Sequence, residues 1–259
     1  MQYFVVDAFT DKLFTGNPAG VCLVDGCLDS GTMQSIAAEN NLAETAFIVK
    51  QEGHYGLRWF TPVAEVDLCG HATLASAYVI YNFVDKDAQS VRFETKSGLL
   101  TVARKEGLYE MDFPARMPER IEITSRITQA AGLPVLEAHS SRDLLLLMEN
   151  EQLIRDFIPN FELLKQIEGY LGIIITAPGD SVDFVSRFFA PAVGVPEDPV
   201  TGSAHSTLIP FWAQRLGKDK MVAKQLSHRG RTLFCENRGD RVKIAGKAVL
   251  YLRGEIRVV

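Results

Sequence analysis

Apolar positions along the chain fall in short runs rich in β-branched and aromatic residues, separated by Gly, Pro, Asn and Asp. This pattern predicts strands over 2–8, 20–24, 45–50, 55–61, 91–95, 99–104, 108–113, 144–148, 172–177, 182–189, 231–236, 241–245 and 248–257. Helical spacing is confined to 30–39, 71–83, 124–131, 150–155, 160–169 and 203–216, and Asp29, Thr124 and Asn160 are placed to cap three of these helices. No low-complexity tract or long linker interrupts the pattern. The mixture is neither a regular βα alternation nor a plain sandwich, and it reads as α+β.

One segment recurs. Arg58-Trp59-Phe60-Thr61-Pro62 is matched by Arg187-Phe188-Phe189-Ala190-Pro191, an offset of 129 residues in a chain of 259. Eight residues beyond the first proline stands Gly70-His71-Ala72-Thr73, and eleven beyond the second stands Gly202-Ser203-Ala204-His205. Each glycine opens an apolar stretch of helical length, Leu74 to Phe83 and Thr207 to Leu216. Each Arg-aromatic-Phe-x-Pro segment also follows an earlier strand that itself follows a helix. Matched elements in matched order read as an internal duplication. Pro114 and Pro118 break the strand pattern, so the expected pseudo-symmetric domains are residues 1–116 and 117–259, with the last strand able to cross back.

Composition narrows the function classes. A net charge of −5 gives no general electrostatic reason to bind nucleic acid or an anionic membrane. No apolar run approaches the about 18 residues of a membrane span. The opening Met1-Gln2-Tyr3-Phe4-Val5-Val6-Asp7 has no basic region before an apolar stretch and reads as a first strand, not a signal peptide. Cys22, Cys27, Cys69 and Cys235 form no CxxC pair, so reduced thiols in a cytoplasmic protein are expected.

The two glycine turns carry the candidate chemistry. Glycine permits close backbone approach and positive φ, and small neighbours keep the first helical turn open. The first N–H groups of a helix lack internal partners and sit at the positive end of its dipole. Two such turns facing each other across a cleft would form a pocket for a small carboxylate or a developing enolate. Each turn also has a plainer reading: glycines for tight packing, His71 filling or capping the first helical turn, Ser203 capping, and Asp198 turning the chain before Pro199. Asn17 before Pro18 is a turn signal, and His205 reads equally as a packed core histidine.

Four blocks share a resemblance: Gly16-Asn17-Pro18-Ala19-Gly20-Val21; Asn41-Leu42-Ala43-Glu44-Thr45-Ala46-Phe47; Phe60-Thr61-Pro62 with Asp67-Leu68-Cys69-Gly70-His71-Ala72-Thr73; and Glu197-Asp198-Pro199-Val200-Thr201-Gly202-Ser203-Ala204-His205. Together, in this order and across both halves, they resemble the signature blocks of the PhzF family, named after an isomerase of phenazine biosynthesis. The resemblance implies a diaminopimelate epimerase-like fold: two similar domains, each a β-barrel-like sheet around a central helix, with the active site between them. It implies an isomerase in which Glu44 is the acid and base, moving a proton on a cyclic carboxylic acid without metal or organic cofactor. His71, Asp198 and Ser203 would share the catalytic site, and Asn17, Gly70, Ala72, Gly202 and Ala204 would contact the small carboxylate substrate. It also implies a homodimer.

Other readings weigh less. Superfamily relatives that racemise or epimerise amino acids use two cysteines, whereas here Cys69 precedes Gly70 but Thr201 precedes Gly202. One thiol cannot support a two-base inversion, and Cys69 also reads as a small buried hydrophobe. Thr201-Gly202-Ser203-Ala204-His205 lacks the second glycine of a hydrolase elbow. Cys22 and Cys27 have no matching ligand pair, no H-E-x-x-H occurs, and no phosphate-binding glycine motif is present. A non-catalytic small-carboxylate-binding protein remains an alternative to the enzyme.

Overall fold

The structure, a computed structural model, describes residues 1–26 and 28–258; Cys27, one of the four cysteines expected to be reduced, lies outside them. In chain order the first elements are β1 (Gln2–Ala8), β2 (Asn17–Val24), α1 (Ser30–Asn40), β3 (Glu44–Lys50), β4 (Tyr55–Phe60), β5 (Glu65–Val66), α2 (Gly70–Val79), β6 (Ser90–Thr95), β7 (Gly98–Lys105) and β8 (Leu108–Pro114). Next come β9 (Glu119–Ile121), α3 (Ser125–Ala131), β10 (Glu137–Ser140), β11 (Leu144–Leu147), α4 (Glu151–Asp156), α5 (Phe161–Leu164), β12 (Ile173–Pro178) and β13 (Phe184–Ala190). The chain closes with β14 (Val195–Asp198), α6 (Gly202–Leu216), β15 (Lys220–Gln225), β16 (Thr232–Asn237), β17 (Arg241–Gly246) and β18 (Ala248–Glu255). No helix among the described residues is long and apolar enough to cross a membrane.

Two compact units emerge, Met1–Asp112 with Ala245–Val259, and Phe113–Ile244. Their strand pairings repeat. In the first unit β2 runs parallel to β3, β3 antiparallel to β4, β4 antiparallel to β5 and parallel to β6, and β6 antiparallel to β7. In the second, the same relations link β11 to β12, β12 to β13, β13 to β14 and β15, and β15 to β16. The duplication extends to the flanking strands. β1 pairs with β2 and β18, and β10 pairs with β11 and β9.

Each unit is built around one buried helix. Nine of the ten residues of α2 are buried, and α2 packs on β1, β2, β3 and β18. A helix enclosed on all sides needs no amphipathic stripe. Its polar residues are paid for locally: Thr73 Oγ1 donates to Cys69 O at 2.5 Å and Ser76 Oγ to Ala72 O at 2.7 Å. In the second unit α6 packs on β15 and β16. There Trp212 stacks on Phe184 at 5.6 Å, and its Nε1 donates to Thr176 Oγ1 at 3.0 Å.

The helix expected over 71–83 is α only to Val79 and finishes as a π turn over Ile80–Val84. Within the wider turn the Asn82 amide donates to Tyr78 O at 2.7 Å, a side-chain bond along the altered ladder. The helix expected over 160–169 shortens to Phe161–Leu164, after which Gln166 N and Ile167 N bond back three residues and tighten the chain. β5, β9, β10, β14 and β15 had no predicted counterpart. Most are short or bear polar residues, and only their pairing partners make them strands.

Candidate active site

Local sequence leaves two helix starts open. Asp29, Thr124, Asn150 and Asn160 each accept a backbone N–H three residues on, at 3.0, 3.3, 3.0 and 3.2 Å, and so cap α1, α3, α4 and α5. The two central helices differ. Cys69 precedes α2 and Thr201 precedes α6, and neither gives a side-chain cap. Gly70 and Gly202 are the first helical residues, so they offer a missing side chain and not a left-handed φ.

Around the start of α2 the first unit gathers Asn17, Glu44, Cys69 and His71. Glu44 opens β3 opposite Ala19, with a side chain 15% exposed. Asn17 opens β2, three residues earlier than expected, and is fully buried. Gly16 makes this entry possible. Its φ is +71°, and a Cβ there would lie 2.2 Å from Ala8 O. Asn17 Nδ2 lies 3.1 Å from His71 Nδ1, and His71 Nε2 lies 3.0 Å from Glu44 Oε2. The last pair is close but lacks hydrogen-bond alignment, and Glu44 Oε2 is buried without a hydrogen-bond partner.

Electrostatics single out His71. Burial works against a proton on its ring, yet the Cys69 sulfur and the Glu44 carboxylate outweigh it, and His71 titrates well above the ordinary histidine range. Burial, and next the charge of Glu44, push the Cys69 thiol above its own usual range. A thiol so raised is uncharged at neutral pH, which leaves Glu44 as the anion that faces His71 there. Asn17 suits either state. Its amide N–H donates to the neutral ring, and its oxygen accepts from the imidazolium after an amide turn.

Glu44, Cys69 and His71 also bring potential metal-ligand atoms within 4.8 Å of one another. Their directions do not converge. Cys69 Sγ is 3.5 Å from His71 Nδ1 and 4.0 Å from Nε2, nearly equidistant, which sets the sulfur over the ring and out of line with either lone pair. A zinc ion needs each donor aimed at it from about 2.0–2.3 Å. The set fits a proton site better than a metal centre.

The second unit builds a different surround for α6. Asp198 ends β14 and accepts from Thr201 Oγ1 at 2.5 Å. Gln225, at the end of β15, accepts from Thr201 N at 2.8 Å and donates to Asp198 O at 2.7 Å. Ser203 is not a cap. Its Oγ accepts from Arg142 Nη2 at 3.0 Å, and Arg142 is held by the enclosed carboxylate of Asp143 at 2.7 Å. Burial raises Asp143 above the ordinary carboxylate range despite Arg142. Burial, and then the like charge of Arg142, holds Arg116 below the ordinary arginine range. His205 is a core histidine: fully buried, donating from Nδ1 to Thr201 O at 2.8 Å, with burial pulling it down to about 4.

The first unit therefore brings together Asn17, Glu44, Gly70, His71 and Ala72, and the second brings together Asp198, Gly202, Ser203 and Ala204. Sequence reading missed Arg116, Arg142 and Gln225. A charged Arg142-Asp143 pair abutting the buried Leu144–Leu147 strand was the one available signal. Gln225 gave none, since its role rests on a fold contact across 24 residues.

Similarity to known proteins identifies the family. The PhzC-PhzF family model, described as phenazine biosynthesis-like protein, matches residues 6–254. An uncharacterized isomerase of Pseudomonas aeruginosa is 48% identical over 258 residues, covering 100% of this chain and 99% of that protein. The crystal structure of a PhzF-family phenazine biosynthesis protein from Enterococcus faecalis superposes with a TM-score of 0.97 at 46% identity, covering 99% of each chain. In fold alone, a probable proline racemase of Agrobacterium radiobacter K84 is similar, with a TM-score of 0.68 at 9% identity over 100% of this chain and 93% of that one. The family-model match over residues 6–254 and the likeness to relatives along the whole chain show that it belongs to the phenazine biosynthesis-like (PhzC-PhzF) family of isomerases, with an epimerase-like α+β fold.

Proposed function

We propose that this isomerase moves a proton, and with it a double bond, on a small cyclic carboxylic acid, with Glu44 as both acid and base. One observation carries the reading. Glu44 presents a buried carboxylate oxygen with no hydrogen-bond partner, 3.0 Å from a histidine that favours its proton, beside an open helix start. Glu44 takes a proton from one carbon of an allylic system, the electron pair shifts along it, and the new carboxylic acid returns the proton at the far carbon. One C–H bond breaks and one forms. No electrons leave the substrate, so the step needs no redox partner.

His71 steadies the Glu44 carboxylate and keeps its own ring proton, so the proton that Glu44 takes is the one it returns. The uncapped start of α2 favours negative charge developing on the substrate during transfer. Proton NMR in deuterated water with cyclohexadiene and cyclohexene carboxylic acids, and their amino and hydroxy derivatives, tests the reading. The expected result is isomerisation with deuterium uptake that Glu44→Gln abolishes. Equal activity in the variant would remove Glu44 from the chemistry, binding without exchange across the series would make the protein a binder, and inversion dependent on Cys69 would make it an epimerase.

A further inference from the structure

The two central helices start alike, and the residue after each opening glycine is held by a residue entering the equivalent strand. In the first unit that residue is His71, held by Asn17 at the start of β2. In the second it is Ser203, held by Arg142 two residues before β11. The parallel ladders fix the equivalence: β2 and β3 begin their register at Ala19–Glu44, two residues after Asn17, and β11 and β12 begin theirs at Leu144–Ile173, two residues after Arg142. Where Asn17 is neutral, its counterpart is a cation.

A second cation is fixed nearby by a defect in α6. Pro210 lies inside the helix and has no N–H for the carbonyl of Ser206. The backbone N–H of Arg116 takes that place, donating to Ser206 O at 2.8 Å, about one turn from Ser203. Arg116 Nη1 is buried and has no hydrogen-bond partner. Arg116 lies close enough to feel the charges of Arg142 and Asp143, and one of its buried donors remains unspent. Ser203 is constrained as well. Its oxygen accepts from Arg142, which leaves its own O–H available to donate to a ligand.

We infer that Arg142, with Arg116 and Ser203, forms a carboxylate subsite in the second unit, in which Arg142 is the positioning residue for the Ser203 hydroxyl. The subsite takes a carboxylate on a small ring and rejects the uncharged amide of the same shape. It rests on the reading of the protein as acting on a small carboxylate, and it adds which groups recognise the charge.

Calorimetric titration of the full chain with anthranilate and with anthranilamide tests it. Wild type should prefer anthranilate about 10- to 100-fold, the scale of charge-assisted hydrogen bonds. Removing Arg142 alone strands the enclosed Asp143, so the informative variant is Arg142→Gln with Asp143→Asn. It should lose the preference by weakening anthranilate and leaving anthranilamide unchanged. Arg142→Lys should restore part of it, and Arg116→Gln, which spares the Arg142–Asp143 pair, should weaken anthranilate several-fold. Anthranilate binding unchanged in the double variant, loss of both probes alike, or no anthranilate binding by wild type would overturn the subsite. Failure here with Glu44-dependent deuterium exchange intact leaves the proposed reaction standing, whereas preserved charge discrimination without exchange refutes the reaction and not the subsite.

Discussion

The start of α2 and the start of α6 are the same piece of architecture fitted with different chemistry. Both helices lack a side-chain cap, and both follow a strand closed by a bidentate arginine–glutamate pair, Arg58 to Glu65 at 2.7 and 2.9 Å and Arg187 to Glu197 at 2.7 and 3.0 Å. At the fourth helical position Thr73 and His205 make the same bond, back to the carbonyl of the residue before the glycine. Yet β3 opens on Glu44 where β12 opens on buried Ile173, and His71 stands where the other helix has Ser203. Duplication supplied two anion-friendly helix starts, and divergence put a glutamate with an unspent carboxylate oxygen at the head of β3 and an apolar isoleucine at the head of β12. The proposed one-base reaction needs that asymmetry.

The largest effect should come from removing the acid. Glu44→Gln is expected to slow isomerisation by about 10²- to 10⁴-fold, the usual share of a general acid–base, measured by the NMR assay; Ile173→Glu should not create a second proton carrier. The same Glu44→Gln change should lower the His71 titration point, read from the imidazole resonances, because the carboxylate that favours the imidazolium is gone. The sign for stability follows. The folded pKa of His71 lies above its unfolded value, so its contribution is full below about 6.5 and fades as pH rises through the folded value.

Next come the arginine clamps. Arg187 is buried against Phe157 O and Ile154 O, whereas the Arg58 side chain is 33% exposed. Arg187→Ala should therefore cost about 3–5 kcal/mol by stranding Glu197, and Arg58→Ala only about 1 kcal/mol, measured by urea denaturation. Equal losses would break the claim that the second clamp is the buried one.

His205 gives an acid-side test of the second unit. Its folded pKa of about 4 is below the ordinary 6.5. The unfolded chain therefore binds a proton that the folded chain refuses, and stability falls as pH drops from about 6.5 to about 4, by roughly 3 kcal/mol. His205→Asn should flatten that part of the curve, whatever its effect at neutral pH. The smallest change belongs to Gly16→Ala. Its strain should pull Asn17 from His71, costing about 1–2 kcal/mol of stability with a shifted His71 titration as its signature.

Much of this was legible before the fold. Strand and helix spacing, the caps at Asp29, Thr124 and Asn160, and the Arg-aromatic-Phe-x-Pro repeat are local signals, because side-chain period and capping act over a few residues. Asp198 and Ser203 stood out as motif residues, but their alternatives as turn former and cap could not be separated until Ser203 was seen accepting from Arg142. Asn17 read as a turn residue and proved to be the buried partner of a histidine 54 positions away.

The sequence by itself determined the composition of each element, the doubling of the chain, and which two glycine turns carry reactive residue types, since all three are properties of near neighbours. Only the tertiary structure decided which helix starts stay open, that Glu44 keeps an unspent oxygen beside His71, and that Arg142 reaches Ser203 while Arg116 bonds the helix one turn on. Those facts depend on burial and on contacts between distant strands, where desolvation sets the charge of a group and packing sets its partner.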